Sequence, residues 1–285
     1  MSAPPEVLAR PVFSAGAQDY SWADVVAAAR AWGRWEDATA PSRAARGEEE
    51  VEEAGQAFRY ERNLLAAEEM ETWLDHWGLS VAGWRSWLRG EAGGWPEAVC
   101  SGTLAELARD LAARAAAAEA NAGAAGPVET DLERMDEAFA AFERAALTDD
   151  ARARLLELRG SDWVRVSYSA LGFAQLGVAR EAALCVREDG LALEEVGHRA
   201  GVQLQQVDAL MQDVDPLLGK AILSTPAGEL AGPLESSDGF VVVLVHEKTA
   251  PTLADPVIQG LLEREVPRRA VEREVRARVR WHERV

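Results

Sequence analysis

The clearest pattern of hydrophobic and polar positions lies in residues 220–251. A short apolar helix is predicted from Lys220 to Ser224, with a turn around residues 226–228. An extended piece from Leu230 to Leu234, a polar turn and a nearly continuous apolar run from Phe240 to His246 follow. Because this run has no polar side, it predicts a strand that is covered on both faces and lies centrally in its sheet.

The first half of the chain is predicted to be helical. Ser21, with Asp24 three positions later, is placed to cap a helix that reaches Trp35, and a linker follows over residues 37–46. Further helices are expected over Glu48–Trp77, Ser80–Gly90, Thr103–Asn121, Glu129–Ala146 and Asp149–Gly160. Eight of the ten tryptophans precede residue 96, and their helical spacing assigns them to helix packing, with a cradle for extended peptide as the alternative.

The region between these helices and the apolar strand carries mixed signals. Residues 161–181 begin with a strand-like alternation at Trp163, but their alanines favour a helix overall. Residues 181–189 permit either a strand or, because of their alanines, the end of a helix. Three more elements are then predicted, namely a helix over Leu193–Ala200 that Gly201 ends, a strand within Val202–Met211 and a helix that Asp215-Pro216 opens.

The last segment, from Asp255-Pro256 onwards, is predicted to be an amphipathic helix that Pro267 kinks or splits. Residues 256–285 carry eight arginines and five glutamates, on a chain whose net charge is −18. A basic amphipathic helix can contact a membrane surface or nucleic acid. Docking on the acidic helical domain, of the same chain or of a second copy in a homodimer, is favoured here.

Composition narrows the functional classes. At 285 residues with 48% hydrophobic and 27% charged residues, the chain is long and apolar enough for one or two globular domains. The strongly acidic balance argues against nucleic acid as the main partner, because phosphate binding requires a basic surface. The two cysteines form no disulfide framework, and no signal-like segment or membrane span is recognisable, so we expect a cytoplasmic protein without a membrane partner.

The order of motifs in residues 220–251 resembles the C-terminal half of a parvulin-type (PpiC/SurA-like) peptidyl-prolyl isomerase domain. The resemblance rests on an apolar helix, two glycine turns, a glycine–aromatic pair and a closing proline, at Ala221-Ile222-Leu223, Gly228-Glu229-Leu230, Gly232-Pro233-Leu234, Gly239-Phe240 and Pro251. It implies an α+β fold with an N-terminal helical domain, a small parvulin-like module and a C-terminal helix that packs back on the helical domain. The division this predicts is an irregular N-terminus (1–17), the tryptophan-rich helical domain (18–160), a connecting segment (161–180), the module (181–252) and the arginine-rich helix (253–285).

The resemblance also implies where catalytic residues would stand. Catalytic parvulins carry one histidine on the first strand and another directly after the glycine–aromatic pair. These positions fall at about Leu184 and at Val241, so neither histidine is present. Cys185 and His246 are the remaining candidates if the protein is an isomerase after all. No metal-ligand spacing and no cofactor motif occur, so neither a metal nor a cofactor is expected.

Residues 193–202 also resemble the start of a DNA-binding helix-turn-helix, with residues 203–215 as recognition helix. That helix would carry aspartates and no arginine or lysine, so phosphate would repel it. The parvulin-like interpretation accounts for the same residues and is preferred.

These observations predict a non-catalytic chaperone or adaptor that binds peptide or unfolded polypeptide. Similarity to PpiC-like proteins that accompany bacterial peptide-maturation systems suggests a precursor peptide as the client. By analogy, the peptide contacts are expected at Met211, Leu218, Leu223 and Phe240. Two alternatives remain open, a divergent active prolyl isomerase and a structural homo-oligomer held by the arginine-rich helix.

Overall fold

A computed structural model describes residues 3–41, 46–122 and 132–283. Two compact units form, unit 1 from Met1–Ala146 with Pro267–Val285 and unit 2 from Leu147–Val266. The helices are α1 (Pro5–Leu8), α2 (Trp22–Ala31), α3 (Trp35–Thr39), α4 (Glu48–Glu61), α5 (Ala67–Trp77), α6 (Val81–Leu88), α7 (Trp95–Cys100), α8 (Thr103–Ala122), α9 (Leu132–Ala146), α10 (Asp149–Arg159), α11 (Leu176–Arg187), α12 (Leu193–Ala200), α13 (Pro216–Ser224) and α14 (Pro256–Arg278). The strands are β1 (Pro11–Ala15), β2 (Gln18–Ser21), β3 (Arg165–Phe173), β4 (Gln205–Leu210), β5 (Leu230–Ser236), β6 (Gly239–Thr249) and β7 (Val279–Trp281). The predicted α+β class is confirmed.

Unit 1 is mainly helical and its core is rich in tryptophan. Trp22, Trp87 and Trp95 are at most 1% exposed, so helix packing is confirmed as their role. The Phe58 ring lies 5.3 Å from the Trp73 ring and contacts two further tryptophans of the same cluster. Such edge-to-face aromatic contacts stabilise a core beyond the area that they bury.

The C-terminal segment completes unit 1. A three-stranded antiparallel sheet has the order β2-β1-β7, so the end of the chain pairs with β1 near the start. Trp281 of β7 packs against Phe13 of β1 with ring centroids 5.4 Å apart. The predicted return of the C-terminal segment to the helical domain is therefore confirmed for residues 267–283, whereas the first part of α14 packs within unit 2.

Unit 2 is built on a four-stranded antiparallel sheet with the order β4-β3-β6-β5. Strand β6 lies between β3 and β5 and has apolar clusters on both of its faces, as its uninterrupted apolar run predicts. Gly239, at the start of β6, has φ +129°, and a Cβ there would lie 2.4 Å from the Phe173 carbonyl oxygen. The glycine of the glycine–aromatic pair is thus required by the turn itself.

Local signals explain where several helices begin and end. The Ser21 hydroxyl accepts from the Asp24 backbone N–H, and the Asp24 carboxylate accepts from the Ser21 backbone N–H, which is the reciprocal cap expected before α2. Gly33 then takes φ +66°, so α2 ends at Ala31 rather than at Trp35. Asn63 takes φ +55° and divides the single helix expected over Glu48–Trp77 into α4 and α5.

Two predictions of secondary structure were wrong, and one open alternative is decided. Residues 1–17 are not irregular where the structure describes them, because β1 finds a partner on each side. Residues 165–173 form β3 rather than a helix, since they pair with both β4 and β6. Residues 181–187, which permitted a strand or a helix end, belong to α11, because Ala179, Ala182 and Ala183 form one buried helical face.

Two further features concern the end of the chain and the alternative folds. Pro267 lies inside α14, which is one helix, so of the two predicted outcomes, a kink or a split, the split does not occur. Residues 205–210, placed in the recognition helix of a helix-turn-helix, form strand β4, which removes that interpretation.

The described start of the helix expected from Glu129 is Leu132, and residues 129–131 lie outside the described residues. No helix within the described residues has the length and apolar character needed to cross a membrane.

Candidate functional site

The two faces of the unit 2 sheet have different chemistry. Successive side chains of a strand point to opposite faces, so Tyr168 and Ser169 of β3 lie on opposite sides. We call the side that carries Val166, Tyr168, Ala170 and Gly172 of β3 the Tyr168 face. We call the opposite side, which carries Ser169 and Leu171, the His246 face, because the Ser169 hydroxyl is hydrogen-bonded to His246.

An apolar cluster lies on the Tyr168 face. Its buried residues are Val166, Tyr168, Ala170, Met211, Val214, Ile222, Ala231, Val243 and Val245. Helix α13 contributes Ile222 to this centre, and Leu218 of the same helix packs at its margin. The short turn Met211–Asp213 brings Met211 to the cluster directly after β4 ends. The covering helix α13 and the sheet therefore share one apolar interior.

Part of this face is left uncovered. Leu218, Leu234 and Val241 are only partly buried, although all three pack against the cluster. Leu234 of β5 and Val241 of β6 are direct partners across the two strands. The three side chains therefore present a half-exposed apolar surface beside a finished core, and such surfaces on soluble proteins mark contact sites.

Gly172 marks the open end of this surface. It pairs with Val241 across β3 and β6, is exposed, and a Cβ built on it would meet nothing within 4 Å. A strand glycine with free space above it allows another backbone to approach closely.

Tyr168 supplies the polar group of the Tyr168 face. The residue is 6% exposed and its hydroxyl has no hydrogen-bond partner among the described residues. A tyrosine hydroxyl with the ordinary pKa of 10.0 is neutral at neutral pH and can donate a hydrogen bond, and burial raises the pKa of this hydroxyl further. A single donor within an apolar surface suits an acceptor such as a peptide carbonyl oxygen.

Helix α13 is fixed at both ends. The Asp215 carboxylate accepts from the backbone N–H groups of Leu217 and Leu218 at 2.9 and 3.2 Å. At the other end the Lys248 ammonium donates to the carbonyl oxygens of Ile222, Leu223 and Thr225 at 3.3, 2.9 and 2.7 Å. A cation at a helix C-terminus satisfies carbonyl groups that have no partner within the helix. Helix α13, which carries Leu218 of the half-exposed surface, is therefore held in place.

The residues expected to bind peptide do not all share one face. Met211 and Leu218 belong to the Tyr168 face. Leu223 lies on α13 but is 42% exposed. Phe240 packs with Leu171 and Phe173 in the cluster of the His246 face, beneath α11 and α12, so the structure separates it from Met211 and Leu218.

The candidate catalytic residues lie away from the Tyr168 face. His246 Nε2 is 2.7 Å from the Ser169 hydroxyl on the His246 face. Cys185 lies on α11 and lines a cavity of about 340 Å³ together with residues of α12. No hydrogen bond joins Cys185 and His246 within the residues that the structure describes.

The position assigned to the first-strand histidine also changes. Leu184 lies on α11 and is 56% exposed, so it cannot stand for that residue. The first strand of the unit 2 sheet along the chain is β3, which lies between β4 and β6, and its sequence RVSYSALGF contains no histidine. In the described part of the chain, no group of three or more His, Cys, Asp or Glu side chains is placed to hold a metal ion.

Sequence reasoning missed Tyr168 and Gly172. Both lie in the segment predicted to be helical, where their orientation toward one face of a sheet is not apparent. The alternation Val164, Val166, Tyr168 was the available signal for a strand.

Comparisons with known proteins give likeness of structure only. No family model matches the chain, and no curated protein is significantly similar to it in sequence. One similar structure comes from a study of PEB4 and Cj1289, two SurA-like chaperones of Campylobacter jejuni. Its sequence is 9% identical to this chain, the match covers 96% of this chain and 99% of that chain, and the TM-score is 0.24. PrsA of Bacillus anthracis shares 11% identity over 90% of this chain and 94% of its own, with a TM-score of 0.27. PrsA of Lactococcus lactis shares 10% identity over 96% of both chains, with a TM-score of 0.31. At such identities and TM-scores, these likenesses assign the chain to no family.

Proposed function

We propose that unit 2 binds an extended apolar segment of polypeptide on the Tyr168 face and that the protein acts as a chaperone or adaptor. The observation that carries this proposal is the half-exposed apolar surface of Leu218, Leu234 and Val241, which continues to the open position at Gly172. An extended peptide laid against Leu218, Leu234 and Val241 at the Gly172 end of β3 would bury apolar side chains there, at about 25 cal/mol for each Å² removed from water.

The Tyr168 hydroxyl would fix the position of the bound segment. It is neutral, and it has no partner among the described residues that a peptide would have to displace. A hydrogen bond to a peptide carbonyl would then add orientation to an otherwise non-directional apolar contact.

Binding without catalysis is the favoured mode. The ammonium of Lys248 on this side of the sheet is already committed to three carbonyl groups of α13 and its end. His246, the only histidine of β6, lies on the His246 face, where it is hydrogen-bonded to Ser169. The Tyr168 face therefore supplies an apolar surface and one hydroxyl group, which suits holding a chain. The client that we favour is a precursor peptide of a peptide-maturation system, by resemblance alone.

The test combines binding with turnover. An unstructured peptide with apolar residues on both sides of an X-Pro bond is titrated calorimetrically into the protein, and its isomerisation rate is followed in a protease-coupled assay. We expect saturable binding, a rate equal to that with the heat-unfolded protein, and loss of binding in Leu218→Glu. The matched control is Leu184→Glu, which changes an exposed leucine of α11.

Two outcomes would contradict the proposal. Rate acceleration that survives purification would show a divergent isomerase and redirect attention to Cys185 and His246. Equal loss of binding in Leu184→Glu and Leu218→Glu would show that the Tyr168 face is not the binding surface. Thermal unfolding of each variant separates loss of binding from loss of fold.

A further inference from the structure

A second candidate site lies in unit 1. A cavity of about 1010 Å³ is lined by one side of α8, by the C-terminal turns of α14 and by the residues that follow them. It is larger than the cavities that commonly take small molecules. All of its lining residues belong to unit 1, so it is separate from the Tyr168 face of unit 2.

The cavity has an apolar floor. Val271 is 8% exposed, and Val275 and Trp281 are half-buried. The Trp281 ring is held from behind by Phe13, with 5.4 Å between ring centroids. An indole fixed in this way offers a large, rigid apolar contact at little cost in conformational entropy.

The carboxylates that line the cavity are all paired. Asp110 forms an ion pair with Arg34. Glu272 is bonded to Arg268 one helical turn away. Glu283 accepts from the Trp22 indole N–H at 3.0 Å and lies 3.6 Å from the Arg10 guanidinium. The negative charges at the cavity are therefore neutralised within unit 1.

The arginines that line the cavity differ from these carboxylates in their pairing. Arg109 of α8 and Arg276 of α14 are exposed, and neither has an ion pair or hydrogen bond with any of the described residues. Two guanidinium groups without carboxylate partners are notable on a chain whose net charge is −18. Guanidinium groups bind carboxylates in a two-point geometry, so they are suited to an anionic ligand.

We propose that this cavity binds an acidic segment of polypeptide that also carries an aromatic or aliphatic side chain. Carboxylates of the segment would meet Arg109 and Arg276, and the apolar side chain would lie against Trp281 and Val271. The site selects by charge, whereas the Tyr168 face selects by apolar contact, and it does not depend on the function proposed for unit 2.

The experiment uses two short blocked peptides that differ only in charge, one with glutamate and phenylalanine and one with lysine in place of each glutamate. Each is titrated calorimetrically into the full-length protein at low salt. We expect the glutamate peptide to bind and the lysine peptide to show no saturable binding. The double variant Arg109→Gln/Arg276→Gln should bind the glutamate peptide about tenfold more weakly, the loss expected for two exposed ion pairs.

The matched control is Arg273→Gln/Arg280→Gln, which removes the same charge from exposed arginines of the same C-terminal segment that do not line the cavity. It should keep the affinity of the unchanged protein, as should Leu218→Glu on the Tyr168 face. Equal weakening in both arginine double variants, equal binding of the lysine peptide, or no binding of the glutamate peptide would each overturn the proposal. Loss of binding in Leu218→Glu would show that the acidic peptide occupies unit 2 instead.

Discussion

Ser169 and His246 are joined by a hydrogen bond of 2.7 Å between the serine hydroxyl and the imidazole Nε2. Ser169 is 3% exposed, so its hydroxyl depends on this partner, whereas His246 reaches solvent. Since both side chains lie on the His246 face, neither belongs to the surface proposed to bind peptide.

His246→Ala should therefore lower stability and leave peptide binding unchanged. Loss of the imidazole leaves the buried Ser169 hydroxyl without a partner, which costs about 1–2 kcal/mol of unfolding free energy. Urea unfolding measures the first effect and calorimetric titration the second. A loss of peptide affinity at unchanged stability would contradict the assignment of His246 to the face opposite the proposed binding surface.

Lys248 should be the more important of the two lysines in the chain. Its ammonium donates to three carbonyl oxygens at the end of α13, and Lys220 is exposed on the same helix. Lys248→Met should lower the unfolding free energy by about 1–2 kcal/mol because charged hydrogen bonds at a helix end are lost. Lys220→Met is the control and should change it by less than about 0.5 kcal/mol. Equal effects of the two substitutions in urea unfolding would show that the cap contributes nothing.

Two of the three tyrosines should make the protein sensitive to alkali. Burial raises the pKa of the Tyr20 hydroxyl, and the carboxylates of Glu119 and Asp24 raise it further, while burial alone raises the pKa of Tyr168. A raised pKa means that the folded state retains the proton more tightly than the unfolded state. This contribution to stability is complete below the unfolded pKa of about 10 and is lost as the pH rises through the folded value.

Urea unfolding at several pH values above about 9 measures this effect. The fall in unfolding free energy should be smaller in Tyr20→Phe and in Tyr168→Phe than in the unchanged protein. Tyr60→Phe is the control, because Tyr60 is 79% exposed. An equal reduction in the control would show that the alkaline loss of stability does not come from the buried tyrosines.

Tyr168→Phe should also separate peptide binding from folding. At neutral pH the substitution removes a hydroxyl that has no partner among the described residues, so stability should change little. Peptide affinity should fall about two- to tenfold, the value of one neutral hydrogen bond. Unchanged affinity in a calorimetric titration would show that the hydroxyl makes no contact with the peptide.

Elements with strong local signals could be predicted from the sequence. The apolar run of β6 and the reciprocal cap of Ser21 and Asp24 are determined by neighbouring residues, and both occur as expected. The break at Asn63 could not be found in this way, because no glycine or proline marks it. Its left-handed conformation is compatible with asparagine but is not required by it.

Elements that depend on distant pairing were missed. Strand β7 is short and gains its hydrogen bonds from β1 across nearly the whole chain, and β1 pairs with both β2 and β7. Strand β3 was assigned to a helix, because the alanines that follow it belong to a real helix, α11, only a few residues later. The candidate site was therefore half predictable, since Met211 and Leu218 are next to strong local signals whereas Tyr168 and Gly172 are not.

The most direct test of the proposed function fills the open position on the Tyr168 face. Gly172→Phe places a ring where a Cβ meets nothing within 4 Å, so the fold should tolerate it while the ring occupies the space of the peptide. Gly177→Phe is the control, because Gly177 of α11 is exposed and equally open. Calorimetric titration with the apolar X-Pro peptide should show binding to the control and to the unchanged protein, and at least tenfold weaker binding to Gly172→Phe. Equal affinity for all three proteins would contradict peptide binding on this face.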